Sequence, residues 1–532
     1  MAIMEYAHSV AIAMINRRLF LTLASATVGT IALSRCTSST TSPAQPLSDR
    51  FISQGGLLEV DLTARMERLD LLGNGRPVQV MTYNGQMPGP ILEARAGDTI
   101  RIRFTNDLAA PTNLHYHGLH IPPTGTADNV FLSVPSGETF TYDFTLPSDH
   151  PAGTFWYHPH HHGLVAEQVF GGLSGVLIVR GALDEIPEVQ AASEAILVLK
   201  DFDVSQQQVA TPSPMAQMWG REGSILTVNG QRRPSFTIPQ DGLLRLRIVN
   251  ASASRFYRLA IASHPMHWIA SDAGALEAPV TVEEVLLTPG ERAEVLVHGT
   301  EAAGEYEVLN LPYDRGLMTM MRGMDNQTVQ DQPEVLARLV YGDRTTVVAP
   351  PTQLLPIEAL PEPSRVRTFV LDHGMGGGMG GMNQDGVGDG MNRGGMNRGG
   401  MGGGMNHGGG DRGGNRGGMG GSMMPGFLIN GQMFDHHRID TEVQLNTVED
   451  WEIINDGGMD HPFHIHVNPF QVIERNGVAE PYRAWKDTVL VRRYERVRIR
   501  VPFAQFPGMT VYHCHILDHE DRGMMGILDI RA

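Results

Sequence analysis

Four groups of closely spaced histidines are the residues of this chain best suited to chemistry. Histidine changes its charge near neutral pH and is the commonest metal ligand in proteins. A lone His-x-His pair is often a solvated or core pair, but four groups in one chain favour a metal centre. The groups are His115 with His117, His158 with His160, His461 with His464 and His466, and His513-Cys514-His515, after which His519 and Met524 follow.

Cys514 stands between two of these histidines. If the segment is a strand, His513 and His515 point to one face and Cys514 points to the other. An imidazole site and a thiolate site then lie back to back, with a short path for electrons between them. A thiolate, two imidazoles and a weakly bound thioether are the ligands of a blue-copper centre, and this chain can supply them from Cys514, His461, His519 and Met524.

The other eight histidines predict a second kind of metal site. Imidazole suits copper ions that change oxidation state and bind oxygen. Zinc is the rival metal, but structural zinc favours four closely spaced ligands, often with several thiolates. Cys514 is the only cysteine besides Cys36, which lies near the N-terminus. Copper is therefore the predicted metal. The eight are His115, His117, His158, His160, His464, His466, His513 and His515.

Short strands must position these groups. Apolar and polar residues alternate in segments such as 99–104 and 496–501, which is typical of strands with one buried face. An internal repeat adds to this: Asn-Gly-Gln at 84–86, 229–231 and 430–432 each precedes a segment ending in Asn106, Asn250 or Asn455. A Gly-Glu turn follows at 137 and 290, with a looser counterpart at 494. The pattern predicts an all-β protein of three consecutive Greek-key sandwiches.

The length of 532 residues, of which 41% are hydrophobic, gives room for about three domains of ~150 residues. We place them at 51–181, 182–350 and 351–532. The net charge of -17 argues against nucleic acid or an anionic membrane surface as the main partner. With two cysteines in unlike surroundings, a disulfide framework is not expected.

Residues 1–50 are interpreted as an export leader and linker. Arg17 and Arg18 open a modestly apolar stretch that ends near Leu33, which resembles a twin-arginine signal. This stretch is shorter than a bilayer-spanning helix requires, so no permanent membrane anchor is expected. Cys36 follows it at a place that suits lipidation, but Arg35 occupies a position where a small residue is usual, so lipidation and removal both stay open.

Together the motifs His-x-His-Gly, His-Pro-His, His-Pro-x-His-x-His and His-Cys-His-x3-His-x4-Met resemble those of the multicopper oxidases. The similarity spans all three predicted domains and is closest to bacterial laccases and cuprous oxidases, whose domains are cupredoxin-like. The resemblance implies four copper ions and the reduction of O2 to water by a monomer. It also implies a type 1 copper on His461, Cys514, His519 and Met524, a type 2 copper on His115 and His464, and a type 3 pair on His117, His158, His160, His466, His513 and His515.

This chain departs from the family pattern in two places. Tyr116 stands where the family commonly has Trp, and the run 158–162 contains more histidines than the sites need. We choose His158 and His160 because Trp156-Tyr157 precede them as in the family. His162 can share their face of a strand and is the main competitor, whereas His120 and His161 are taken as bystanders.

Reduction of O2 to water consumes protons as well as electrons, and carboxyl groups are natural proton carriers. Glu520, next to His519, and Asp128 resemble the acidic residues that carry protons in the family. The alternative for Asp128, within Thr126-Ala127-Asp128-Asn129, is an ordinary turn residue.

The electron donor is predicted from a Gly-rich insertion at 373–424, which has too few aliphatic residues to fold alone and is expected to be disordered. It contains ten methionines, and thioether sulfur prefers Cu(I). This favours oxidation of Cu(I) in copper tolerance. A second methionine cluster at 318–324 can contribute as well, but alternating methionines in a strand are more often core packing. The alternative is a laccase-like or bilirubin-oxidase-like enzyme for phenols or aromatic amines, in which the insertion is an incidental linker.

Overall fold

The computed structural model describes residues 49–316, 332–373 and 426–532. The predicted leader with Cys36, the methionines at 318–324 and residues 374–424 of the insertion lie outside the described residues. Within the described ranges the protein consists mainly of β-strands, so the all-β prediction is confirmed. No helix in those ranges is long and apolar enough to cross a membrane.

The first sandwich encloses a core in which alternate side chains are buried. On neighbouring strands, Leu62 and Phe104 point into the core, whereas Asp61 and Arg103 are exposed. Its strands are β1 (Arg50–Ile52), β2 (Leu57–Leu69), β3 (Val78–Tyr83), β4 (Ile91–Arg95), β5 (Thr99–Asn106), β6 (His115–His117), β7 (Thr139–Thr145), β8 (Gly153–His158) and β9 (Gly175–Arg180). They form two sheets, ordered β1-β4-β9-β8-β6 and β3-β2-β5-β7.

The second sandwich follows with strands β10 (Ser193–Phe202), β11 (Val204–Ser205), β12 (Gln208–Val209), β13 (Ile225–Val228), β14 (Ser235–Gln240), β15 (Leu243–Asn250), β16 (Tyr257–Ile261), β17 (Met266–Ser271), β18 (Gly274–Val282), β19 (Glu284–Leu287), β20 (Arg292–His298), β21 (Glu305–Leu311) and β22 (Glu334–Arg344). Its sheets are ordered β13-β10-β15-β20-β17-β18 and β14-β22-β21-β16-β19. The short strands β11 and β12 instead extend a sheet of the first sandwich beside β3.

The third sandwich contains strands β23 (Arg365–His373), β24 (Phe427–Ile429), β25 (Thr441–Gln444), β26 (Thr447–Asn455), β27 (His461–Ile465), β28 (Phe470–Arg475), β29 (Val478–Ala479), β30 (Trp485–Lys486), β31 (Thr488–Val491), β32 (Glu495–Phe503), β33 (Gly508–Cys514) and β34 (Met525–Arg531). One sheet is ordered β24-β23-β26-β32-β28-β29, with β30 beside β28, and the other is ordered β25-β34-β33-β27-β31. The apolar core between them includes Trp451, Phe463 and Cys514.

Helical segments are short and lie in the connections. They are α1 (Val165–Gly171), α2 (Pro187–Ala191), α3 (Pro214–Trp219), α4 (Leu517–Glu520) and a 3-10 turn at Ala182–Glu185. Helix α4 directly follows His515 and carries His519 and Glu520. Asp521, just after α4, accepts hydrogen bonds from backbone N–H groups at the start of α1, which ties the first sandwich to the third.

The Asn-Gly-Gln repeat has one structural role in all three sandwiches. Each Asn and each Gly adopts a positive φ, and the flanking residues form a bridge, as in a two-residue hairpin turn. Each Asn side chain also accepts a hydrogen bond from the backbone N–H of a neighbouring strand, namely from Thr63, Val198 and Val370. The repeat therefore marks the same turn in three related units.

Candidate metal centre

Strand register brings the histidine groups together. In the first sandwich β6 and β8 are antiparallel, and His115 lies opposite His158. In the third, β27 and β33 are antiparallel, with His464 opposite His513 and Phe463 opposite Cys514. Directly opposed residues share a face, so His464 and His513 point away from the core that contains Cys514.

The eight imidazoles of the first and third sandwiches meet in one buried cluster, in which each ring is at most 2% exposed. Within each group of three, the candidate ligand atoms all lie within 4.8 Å of one another. In one of them, His513 Nε2 is 3.0 Å from His466 Nε2 and 3.2 Å from His160 Nε2. The groups are His115 with His117 and His464, His117 with His158 and His515, and His160 with His466 and His513.

Cys514, His461 and His519 form a separate group on the other side of β33. The Cys514 sulfur lies 3.4 Å from His461 Nδ1 and 3.7 Å from His519 Nδ1. Met524 is fully buried in the same core, and its carbonyl oxygen accepts a hydrogen bond from the Cys514 N–H at 3.0 Å. The structure thus gathers the thiolate, imidazole and thioether residues that the sequence grouped.

The donor sets fit copper by their chemistry. Several histidines of the imidazole cluster keep one buried ring nitrogen without a hydrogen-bond partner, including His115 Nε2, His117 Nδ1, His158 Nε2 and His464 Nε2. Buried polar atoms are rarely left unsatisfied without a reason, and a bound metal ion would satisfy them. Imidazole and thiolate donors are those that copper prefers.

Burial also keeps these imidazoles neutral, which is the form that binds metal. Desolvation, followed by the proximity of other histidines, lowers the pKa of His158, His160, His466 and His513 well below the usual range. Burial raises the pKa of the Cys514 thiol. The thiol therefore keeps its proton at neutral pH unless a cation replaces that proton.

Asp128 is a buried partner of the cluster and not a solvated turn residue. Its Oδ1 accepts hydrogen bonds from His115 Nδ1 at 2.8 Å and from the Tyr116 N–H at 3.0 Å. Its Oδ2 lies 3.6 Å from His466 Nδ1. Asp128 thus orients His115 so that Nε2 of that ring faces the cluster. Tyr116, which replaces the family's usual Trp, packs into the apolar core of the first sandwich.

Glu520 lies between two histidines of the cluster. Its Oε1 is 3.3 Å from His160 Nε2, and its Oε2 is 3.2 Å from His513 Nδ1. The side chain is completely buried, and this burial, followed by the nearby charge of Asp521, raises the pKa of the Glu520 carboxyl well above its usual value. Burial therefore favours the protonated form of this carboxyl group, which lies beside the imidazoles.

Sequence reasoning missed Asp487 and Arg292. Asp487 accepts a hydrogen bond from His117 Nε2 at 2.9 Å, and its carboxylate binds Arg292. Burial alone would raise the pKa of the Asp487 carboxyl, but the charge of Arg292 and the contact with His117 hold it well below its usual range. Lys486-Asp487 precedes the strand β31, and nothing in that local pattern marks a contact with a histidine of another sandwich.

The additional histidines are placed apart from these groups. His120 donates to the carbonyl oxygen of Val467, and His161 bonds to Ser133. His162 lies beside His436, with ring centroids 5.4 Å apart. Strand β8 ends at His158 and the chain turns at 162–164, so strand alternation does not carry His162 to the face of His158.

Comparison with known proteins agrees with this geometry. Family profiles described as multicopper oxidase match residues 66–183, 195–341 and 413–532. A multicopper oxidase of Staphylococcus haemolyticus is 28% identical over 84% of this chain and 83% of its own length. The cell division protein FtsP of Yersinia pestis is also 28% identical, over 97% of this chain and 98% of its own. The structure of a Campylobacter jejuni multicopper oxidase, described as a metallo-oxidase, superposes with a TM-score of 0.72 at 28% identity and covers 93% of this chain and 98% of its own.

Three β-sandwiches with buried histidine groups and one thiolate group define a copper-dependent oxidoreductase. The chain belongs to the multicopper oxidase family. The resemblance inferred from its motifs is therefore confirmed, as is the prediction that the protein is an enzyme. Membership implies copper ions as cofactors, and the buried histidine groups are compatible with them.

Proposed function

We propose that this protein binds four copper ions and couples one-electron oxidation of Cu(I) to the four-electron reduction of O2 to water. The observation that carries the proposal is the presence of a buried thiolate group and a buried imidazole cluster on opposite sides of β33. Bound copper would accept electrons singly at the thiolate site and deliver them to O2 at the imidazole cluster.

The proposed ligand sets follow the geometric groups. The type 1 copper would be held by Cys514, His461 and His519, with the Met524 thioether as a weak ligand. The type 2 copper is assigned to His115 and His464. The type 3 pair is assigned to His117, His158 and His515 on one side and to His160, His466 and His513 on the other.

Two carboxyl groups have separate proposed roles. Glu520 holds a proton within reach of His160 and His513 and serves as the proton donor. Asp128 orients His115 through a hydrogen bond and, with the unpartnered Oδ2 near His466, is the second proton-handling group.

The position of the insertion supports Cu(I) as the electron donor. His373 and Phe427, which flank the insertion, pair across β23 and β24. The His373 ring centroid lies 5.1 Å from that of His461, and the Phe427 ring stacks on His519 at 3.8 Å. The methionine-rich segment therefore leaves and re-enters the fold beside the imidazoles assigned to the type 1 copper. The Campylobacter jejuni relative is described as a metallo-oxidase, which favours a metal substrate.

Oxidation of phenols or aromatic amines is the alternative. A bilirubin oxidase of Albifimbria verrucaria is 28% identical over 83% of this chain and 71% of its own length. In that case the insertion is a linker with no part in catalysis.

Deletion of residues 374–424 tests whether Cu(I) or a phenol is the electron donor. We expect the deletion variant to keep phenol oxidation and to lose most Cu(I) oxidation. A matched control keeps the length of the insertion and replaces its ten methionines by serine; we expect it to behave like the deletion. Equal loss of both activities, or loss of neither, contradicts a copper-recruiting role.

We also propose that the folded protein is exported to the cell envelope. The twin-arginine pattern at Arg17-Arg18 supports it. Replacement of both arginines by lysine, followed by cell fractionation, tests it: retention of the variant in the cytoplasm is expected, and unchanged export contradicts the assignment.

A further inference from the structure

We infer that Arg292 and Asp487 form an interdomain positioning pair that holds two histidines of the imidazole cluster in the orientation needed to bind copper. Arg292 belongs to the second sandwich, which supplies none of the proposed ligands. The inference rests on the proposed function, because it requires that His117 and His464 bind copper.

Asp487 contacts both histidines and fixes a different nitrogen of each. Its carboxylate Oδ1 accepts a hydrogen bond from His117 Nε2 at 2.9 Å. Its backbone carbonyl oxygen accepts one from His464 Nδ1 at 2.8 Å. The opposite nitrogens, His117 Nδ1 and His464 Nε2, are buried and have no hydrogen-bond partner. A metal-ligating histidine usually donates its second N–H to a carboxylate or carbonyl, which fixes its tautomer and ring orientation.

Arg292 fixes Asp487 through two parallel contacts. Its Nη1 donates to Asp487 Oδ1 at 2.8 Å and its Nη2 to Oδ2 at 2.5 Å. This bidentate geometry restricts the carboxylate more than a single point charge does.

The guanidinium itself is held by all three sandwiches. Besides Asp487 of the third sandwich, it donates to the carbonyl oxygens of Thr154 in the first at 3.1 Å, and of Gly290 and Asp272 in the second at 3.0 and 2.7 Å. Arg292 and Asp487 are almost completely buried. The position of His117 in the first sandwich thus depends on a residue of the second, through a residue of the third.

The backbone next to His117 packs closely against the pair. Gly118, next to His117, has φ +89°, and a Cβ atom there would overlap both the Arg292 guanidinium and the Asp487 carboxylate. A second interdomain contact lies alongside, where Lys486 binds Asp272 at 2.8 Å and Glu291 at 3.0 Å. A buried ion pair is weak grounds for extra stability, because desolvation offsets the attraction. Because Asp487 of this pair contacts His117 and His464, we assign the pair a role in positioning these two rings.

The test compares Asp487→Asn with Glu294→Gln. Glu294 lies two residues after Arg292 in β20, forms a buried ion pair with Arg245 and Arg247, and bonds to Thr154 of the first sandwich. It therefore matches Asp487 in burial and in its contact between sandwiches, but its side-chain hydrogen-bond and ion-pair partners within the described residues are Thr154, Arg245 and Arg247 and not a histidine of the cluster.

We expect Asp487→Asn to weaken copper binding at the imidazole cluster about 10- to 100-fold, as is usual when the partner of a ligand is changed. Copper content under chelator competition falls, and EPR shows an altered type 2 signal, while the blue thiolate band remains. Glu294→Gln keeps wild-type copper content and spectra. If Asp487→Asn does not fold, Arg292→Lys provides the same comparison, because lysine keeps the charge but not the bidentate geometry.

Normal copper content and spectra in a folded Asp487→Asn or Arg292→Lys protein overturn the inference. Equal copper loss in Glu294→Gln also overturns it, because the effect is then a general weakening of the interface. Either result leaves the proposed function intact if the wild-type protein still reduces O2. A wild-type protein that binds no copper at the cluster contradicts both.

Discussion

His513 donates a hydrogen bond from its Nδ1 to the backbone carbonyl oxygen of Cys514 at 3.0 Å. The thiolate group and the imidazole cluster are therefore linked both along the chain and through this hydrogen bond. His513 Nε2 in turn faces His160 and His466. His513 and Cys514 are adjacent in β33, and their side chains point to opposite sides of the strand. This pair therefore connects the imidazole cluster with the thiolate group.

Replacement of Cys514 by serine tests this division into two sites. Serine has nearly the same size but supplies no thiolate, so we expect the blue band to disappear and electron transfer from any donor to stop. The imidazole cluster should keep its copper, because its ligands point to the other side of β33. Absorption spectroscopy and metal analysis check this. Loss of all copper would show that the two sites do not assemble independently.

Glu520→Gln removes the buried proton but keeps the size of the side chain. Because burial raises the pKa of the Glu520 carboxyl, the protonated form is favoured beside His160 and His513. We expect turnover to fall about 100-fold, at the lower end of the range for loss of a general acid, with unchanged copper content. Stopped-flow measurements should show normal bleaching of the blue band by donor and slow recovery with O2. Slow bleaching with normal recovery would contradict this role.

Gly290→Ala tests the turn of the second sandwich that approaches the cluster. Gly290 has φ +88°, and a Cβ atom there would lie 2.9 Å from the His515 ring and 3.0 Å from His117 Cε1. We expect loss of copper from the cluster and destabilisation of about 1–2 kcal/mol from the backbone alone. Gly97→Ala is the matched control, since Gly97 has φ +86° but no atom within 4 Å of the added Cβ. Similar copper loss in both variants would assign the effect to backbone strain.

The pKa of His150 predicts how the free energy of unfolding changes at acidic pH. Burial lowers the pKa of the His150 imidazole from 6.5 to about 4, although the hydrogen bond that Nδ1 donates to the Pro151 carbonyl oxygen acts in the opposite direction. Nε2 accepts a hydrogen bond from the His120 N–H, which requires the neutral ring. The folded state then binds fewer protons than the unfolded state. The stabilising contribution is complete above pH 6.5 and is lost as the pH falls towards 4.

His150→Gln keeps both a donor and an acceptor but does not titrate. At roughly 1.4 kcal/mol per pKa unit, wild type should lose about 3 kcal/mol relative to this variant between pH 6.5 and 4. Denaturant unfolding of both proteins across this range measures the difference. Parallel stability curves would contradict the neutral, buried state of His150.

Local sequence rules predicted much of the site because its main features are local. Strand alternation around Cys514 correctly separated its side chain from His513 and His515, and the Asn-Gly-Gln triplets marked the hairpin turns. The same rule left His162 open as a competitor of His160, because the end of β8 at His158 was not evident. The roles of Asp487 and Arg292 were not predictable, since each depends on contacts between sandwiches distant in sequence.

Oxygen uptake by the copper-loaded protein, with Cu(I) and with a simple phenol in parallel, tests the central claim most directly. A blue protein should consume one O2 for every four Cu(I) ions oxidised, without releasing peroxide, and should oxidise Cu(I) faster than the phenol. Preference for the phenol would support a multicopper oxidase whose electron donor is a phenol and not Cu(I). Release of peroxide, or no blue band and no uptake with either donor, would contradict the account.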